Sequence, residues 1–177
     1  DRSLLSGLRA RAGSRSEALE AIEEAIAEDP TQAADWLSYA NLLYEEGESS
    51  KALDAADKCL EIDRQCGGAW ALTATILAPK QNRLKEALKA AIHAVALDSG
   101  GVDLVLLKAD LLLADGQVTA AEESLVKSLE KDTMNGELRA RIATRYLLDG
   151  RPEDAQNLLD TTPVSYTHLR AHETLEN

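Results

Sequence analysis

The chain has 177 residues, with 19 Lys+Arg against 31 Asp+Glu and a formal charge of −12. Nucleic-acid affinity is built by neutralising phosphates, so a surface this acidic excludes nucleic-acid partners. Hydrophobic residues make up 45%, but aromatics only 3%, with no Phe. The core must then be built from Ala and Leu, which favours close-packed helices. No apolar run approaches the roughly 18 residues that span a bilayer, the longest being pieces such as Leu104-Val105-Leu106-Leu107. No membrane insertion is expected within this window.

An internal repeat organises the sequence. Ala18, Ala52, Ala87, Ala121 and Ala155 are spaced 34, 35, 34 and 34 residues apart, and Gly13, Gly47, Gly116 and Gly150 each precede one of them by five. The first unit, 1–32, reads Leu4, Leu5, Leu8, then Gly13, then Ala18, Leu19, Ile22, Ala25 and Ile26, with a stop at Asp29-Pro30. That pattern predicts two helices broken at Gly13. In the second unit, 33–66, Trp36, Tyr39, Ala40, Leu43 and Tyr44 recur at helical spacing until Gly47 closes the helix. Ser49 or Ser50 would cap the next one, which carries Ala52, Leu53, Ala56, Cys59 and Leu60 on one face. The third unit, 67–101, places Trp70 in phase with Trp36 and replaces the turn glycine by Pro79-Lys80-Gln81-Asn82, which accounts for the extra residue. The fourth, 102–135, runs as a helix from Leu104 to Ala114, turns at Asp115-Gly116 and continues through Ala120, Ala121, Leu125, Ser128 and Leu129. The fifth, 136–162, reads Leu138, Ile142, Ala143, Tyr146, Gly150, Ala155, Leu158 and Leu159, and its second helix is cut short. The alanines follow from packing: helices cross at the short end of the roughly 8–10 Å range only where the contact residue is small.

Trp36, Tyr39, Ala40, Leu43, Gly47, Ala52, Ala56 and Cys59, with Pro30 closing the first unit, resemble the tetratricopeptide-repeat pattern Trp-x2-Leu-Gly-x2-Tyr, Ala-x3-Phe, Pro. The chain departs from it in carrying small or aliphatic residues where the family often has Phe, and in lacking a closing proline after Pro30. The resemblance implies an all-α fold, an α-solenoid of about five stacked antiparallel helix pairs over residues 1–162, the last truncated. It also implies a concave groove lined by the first helix of each pair. That groove falls on Leu37, Asn41 and Tyr44, then Thr75, then Leu106, Asp110 and Leu113, then Thr144. Family members that hold acidic chaperone tails set Lys and Arg beside the groove Asn. Here Asn41 has only Leu37, Ala71, Thr75, Leu106 and Asp110 for company. An acidic, partly apolar groove suits a neutral or basic segment with aliphatic anchors.

Chemistry is sparse outside the repeat. Cys59 and Cys66 lack Cys-x-x-Cys spacing and read as reduced thiols with no metal role. His93 sits mid-helix between Ile92 and Ala94, and Glu23-Glu24, Glu45-Glu46 and Glu122-Glu123 read as solvated surface. Gly67-Gly68 and Gly100-Gly101 fall between repeats and follow no strand, so they form no phosphate loop. No catalytic, cofactor or metal site is expected. Trp36 and Trp70 are expected in the core, and Arg139, Arg141 and Arg145 are expected to pair with acids.

Residues 163–177 read as a non-native tail. Val164 to Thr174 break the repeat phase and resemble the translation of a transposon-type sequencing adapter, so His168, Arg170 and His172 carry no functional weight. With no initiator Met, Asp1 reads as a fragment edge, and nothing specifies a compartment. The expected role is a non-enzymatic scaffold that binds a peptide or protein segment. The competing readings are a partner-selecting repeat region of a larger enzyme or a secretion or assembly machine, and self-association through exposed repeat ends.

Overall fold

The computed structural model describes the backbone of residues 2–97 and 101–160, and within these the side chains from Ser14 onward. Among the described residues there are nine α-helices and no strand. The helices are α1 (Arg2–Glu28), α2 (Ala33–Glu45), α3 (Ser49–Ile62), α4 (Gly67–Leu77), α5 (Leu84–Ala96), α6 (Gly101–Ala114), α7 (Val118–Lys131), α8 (Gly136–Leu148) and α9 (Pro152–Asp160). The fold class is therefore all-α, a helical repeat of solenoid type. The chain divides into two compact units, Asp1–Leu104 and Val105–Asn177. In the first, α2 packs on α3 and α4 on α5, with α1 against α2 and α3 against α4; in the second, α8 packs on α7 and α9.

Four of the five repeat alanines are where close crossings require them, while Ala18, in α1, is only half-buried. Ala52 and Ala87 are 0% exposed, Ala121 1% and Ala155 2%, so no side chain larger than a methyl fits. Larger apolar groups fill the space around them, including Leu43, Leu77, Leu112, Leu125, Leu138 and Ile142, all buried.

Three of the four expected glycine turns are built identically. The Gly47 N–H donates to Tyr44 O at 3.0 Å and the Glu48 N–H to Leu43 O at 2.9 Å; Gly116 and Gln117 bond Leu113 and Leu112 the same way, and Gly150 and Arg151 bond Leu147 and Tyr146. These are Schellman closures, which need a left-handed residue after the helix. The three glycines supply it with φ of +83°, +78° and +72°. In the third unit a 3-10 turn, Gln81–Arg83, replaces the glycine.

The first unit departs from expectation. Gly13 lies inside the single helix α1, so the break does not form. Acidic Glu46, Asp115 or Asp149 precedes each turning glycine, whereas Ala12, the best helix former, precedes Gly13. Neither Ser49 nor Ser50 is a cap: Glu48 stands at that position without a side-chain cap bond, and both serines lie in the first turn of α3.

The tryptophans are half-buried rather than deep in the core. Each ring stays near the surface because its N–H must find an acceptor. Trp36 Nε1 donates to Pro30 O and Trp70 Nε1 to Arg64 O, each at 2.9 Å. Seven residues before each Trp, an aspartate closes the connection: Asp29 Oδ1 accepts Thr31 N–H at 3.0 Å and Asp63 Oδ1 accepts Gln65 N–H at 2.9 Å. Asp29, Asp63, Asp98 and Asp132 repeat at 34, 35 and 34 residues, a second phase of the repeat beside that of the alanines.

Candidate functional site

In the first unit, α2 carries Leu37, Asn41 and Tyr44 at i, i+4 and i+7, a spacing that puts all three on one face. Leu37 is half-buried because α4 comes close to it at a glycine: a Cβ on Gly68 would lie 2.9 Å from Leu37 Cδ2. Asn41 is exposed, and among the described residues its carboxamide makes no hydrogen bond. Tyr44 is 39% exposed at the end of the stripe. Beside it Glu45 and Glu46 face Arg15 at 3.5 and 4.0 Å, which offsets part of their charge. Thr75, on α4, is exposed, and its hydroxyl donates to Ala71 O at 2.9 Å.

In the second unit the expected residues separate. Leu106 is only 8% exposed and belongs to the core, so its side chain is not presented to solvent. Leu113 is half-buried. Asp110 is exposed but engaged, with Arg141 Nη2 donating to its Oδ2 at 2.8 Å. Thr144 donates its hydroxyl to Ala140 O at 2.8 Å.

The basic residues of α8 largely pair with acids. Arg141 holds Asp110, and Arg145 holds Asp149 through two contacts, one of them Nε to Oδ2 at 2.9 Å. Nearby, Arg151 bridges Glu122 and Asp154 at 3.0 and 2.7 Å while its guanidinium lies 4.2 Å from the Tyr146 ring centre. The Asp110–Arg141 pair was readable in principle: one repeat back from Arg141 is position 107, one helical turn from Asp110.

The thiols have contrasting surroundings. Cys59 is 0% exposed, and burial together with the neighbouring Cys66 thiol pushes its pKa up to about 12. Both cysteines are free. Among the described residues no three metal-capable side chains cluster, and no helix is long and apolar enough to cross a membrane. The expected non-native tail, 163–177, and its histidines lie outside the described residues.

The tetratricopeptide-repeat family model matches residues 112–173. Among solved structures the chain is similar to YrrB, a TPR protein with an unusual peptide-binding site, at 25% identity and a TM-score of 0.68, over 79% of this chain and 72% of that one. It is also similar to MamA from Desulfovibrio magneticus RS-1, at 16% identity and a TM-score of 0.69, over 99% and 95%. A third likeness is to the Naa15/Naa10 complex bound to HypK, at 20% identity and a TM-score of 0.64, over 95% of this chain and 24% of that one. No curated protein matches the chain by sequence. The match over residues 112–173, the likeness to YrrB and the alanine phase together support a tetratricopeptide-repeat assignment.

Proposed function

We propose that the chain is a non-enzymatic scaffold whose first helices bind a peptide or protein segment. One observation carries this reading: α2 sets an uncommitted carboxamide, Asn41, between an aliphatic and an aromatic side chain on one face. An amide offers both a donor and an acceptor, the pair an extended backbone needs. Leu37 and Tyr44 would supply apolar contact on either side. YrrB, a TPR protein with a peptide-binding site, supports the general mode.

In the second unit, Asp110 would contribute acidic character and draw a neutral or basic segment with aliphatic anchors. Its bond to Arg141 must loosen for a partner to use it directly. We read the native repeats as ending near Thr162, with the residues after it carrying no binding role.

The test is a peptide array of neutral, basic and acidic segments, followed by calorimetry with the best binder. Asn41→Ala is expected to weaken binding about tenfold, the loss of roughly one well-placed hydrogen bond. Unchanged affinity in both Asn41→Ala and Tyr44→Ala rejects the groove. A second reading, self-association, is favoured by exposed Leu147, Leu148 and Leu159, at 57%, 74% and 49%. Light scattering across a concentration series decides it, since a constant monomer mass removes it.

A further inference from the structure

We propose that a cleft between α3, α4 and α5 is a second binding site, which receives a lysine or arginine side chain from a partner polypeptide. It lies on second helices and their neighbour, away from the α2 stripe, and stands independently of that reading. Its volume is about 320 Å³, at the low end of the roughly 300–1,000 Å³ typical of ligand clefts and suited to one long side chain.

Charge selects a cation. The cleft is lined by Asp54, Asp57 and Glu86 against Arg83 and Lys89. Arg83 is already spent on Glu86 through a two-pronged contact, Nε to Oε1 at 3.1 Å and Nη2 to Oε2 at 2.7 Å. This leaves two aspartates facing one lysine. Among the described residues neither Asp54 nor Asp57 is in an ion pair. Partial burial, and then the charge of Asp54, raise the Asp57 carboxyl above its ordinary value despite the opposing influence of Arg83. An incoming ammonium or guanidinium would relieve that repulsion.

A second observation is independent of charge. Thr73, on α4, lines the same cleft and is 9% exposed, and its Oγ1 is buried without a hydrogen-bond partner. Ser38, Thr75 and Thr144 instead donate to the carbonyl four residues back in their own helices. A buried hydroxyl left unbonded is costly, and an N–H donor from a basic side chain is the partner it lacks. Leu53, Leu77 and the Trp70 ring give an apolar wall for the aliphatic stem. Trp70 is held in place on one side by His93, whose ring stacks at 4.7 Å.

The experiment is an NMR titration of the full chain with three blocked peptides, acetyl-Gly-Arg-Gly-amide, acetyl-Gly-Glu-Gly-amide and acetyl-Gly-norleucine-Gly-amide, and with free arginine. The Arg peptide is expected to shift the Trp70 indole N–H saturably while the Trp36 signal stays still. Asp57→Asn should weaken it about fivefold and Lys89→Ala should tighten it, opposite signs that unfolding cannot produce. Thr73→Val, which keeps the side-chain volume, should weaken it as well. Stronger binding of the Glu peptide, equal shifts at both tryptophans, or Asp57→Asn binding like the parent would overturn the proposal. Free arginine binding as tightly as the Arg peptide would overturn the assignment to a polypeptide side chain.

Discussion

The turns after α2 and α4 do the same job by different means. After α2, Gly47 takes φ of +83° and closes the helix with two backbone bonds, so α3 begins within four residues. After α4 no residue takes the left-handed conformation at that phase. Instead the Lys80 N–H bonds Leu77 O, the Arg83 N–H bonds Lys80 O, and six residues including a 3-10 turn separate α4 from α5, against three between α2 and α3. The extra residue in the 35-residue period is the cost of reversing the chain without glycine. It also has a consequence for the surface, because the 3-10 turn delivers Arg83 to the rim of the α3–α4–α5 cleft.

What the two turns share is a buried leucine at one phase, Leu43 and Leu77, with Leu112 at the same place in the second unit; they are 6%, 1% and 4% exposed. Truncation there should be the largest effect: Leu77→Ala should cost about 2–5 kcal/mol, and Leu43→Ala a similar amount. Urea denaturation measures both. A much smaller loss for Leu77→Ala would mean that the 3-10 turn is anchored differently.

The difference between the turns predicts the next effect. Gly47→Ala and Gly116→Ala should each lose on the order of 1–2 kcal/mol from backbone strain alone, since a Cβ at either position meets nothing within 4 Å. Lys80→Ala, at φ of −95°, should stay within about 0.5 kcal/mol. Equal losses at Gly47 and Lys80 would erase the distinction.

The smallest effects are pH-dependent and opposite in sign. Hydrogen bonds from the Thr31 and Gln32 side chains and the Thr31 backbone hold the Asp29 carboxyl below its ordinary 3.8. Its contribution is present above that value and is lost as pH falls through the lower, folded-state value. Asp57 is raised, so it opposes folding at neutral pH and ceases to do so once acid protonates it in both states. Asp29→Asn should therefore lower the melting temperature at pH 7, Asp57→Asn should raise it, and both shifts should shrink towards pH 3 in circular-dichroism melts.

Much of this fold is legible because its determinants are local and periodic. The alanine phase places the helix crossings of the later repeats, and an acidic residue followed by glycine marks the three Schellman turns at Gly47, Gly116 and Gly150. Gly13 keeps the repeat phase but follows Ala12, the best helix former, and lies inside α1. The candidate site was less legible. Leu106 satisfies the first-helix phase but is buried, since periodicity gives a residue's direction and not what packs over it. Asp110 meets Arg141 because two first helices lie side by side, which no single-helix pattern records.

Repeat spacing and residue type were thus enough to specify helix pairs, their turns and the tetratricopeptide-repeat class, because each depends on interactions within about 35 residues. Tertiary packing alone decided which of the in-phase polar groups are spent and which are free. It bonded Asp110 to Arg141 and buried the Thr73 hydroxyl without a partner, yet left the Asn41 carboxamide open, whereas Thr75 and Thr144 are bonded locally within their own helices. Availability for binding depends on the surplus of hydrogen-bonding groups after packing, and that surplus is settled only when the helices meet.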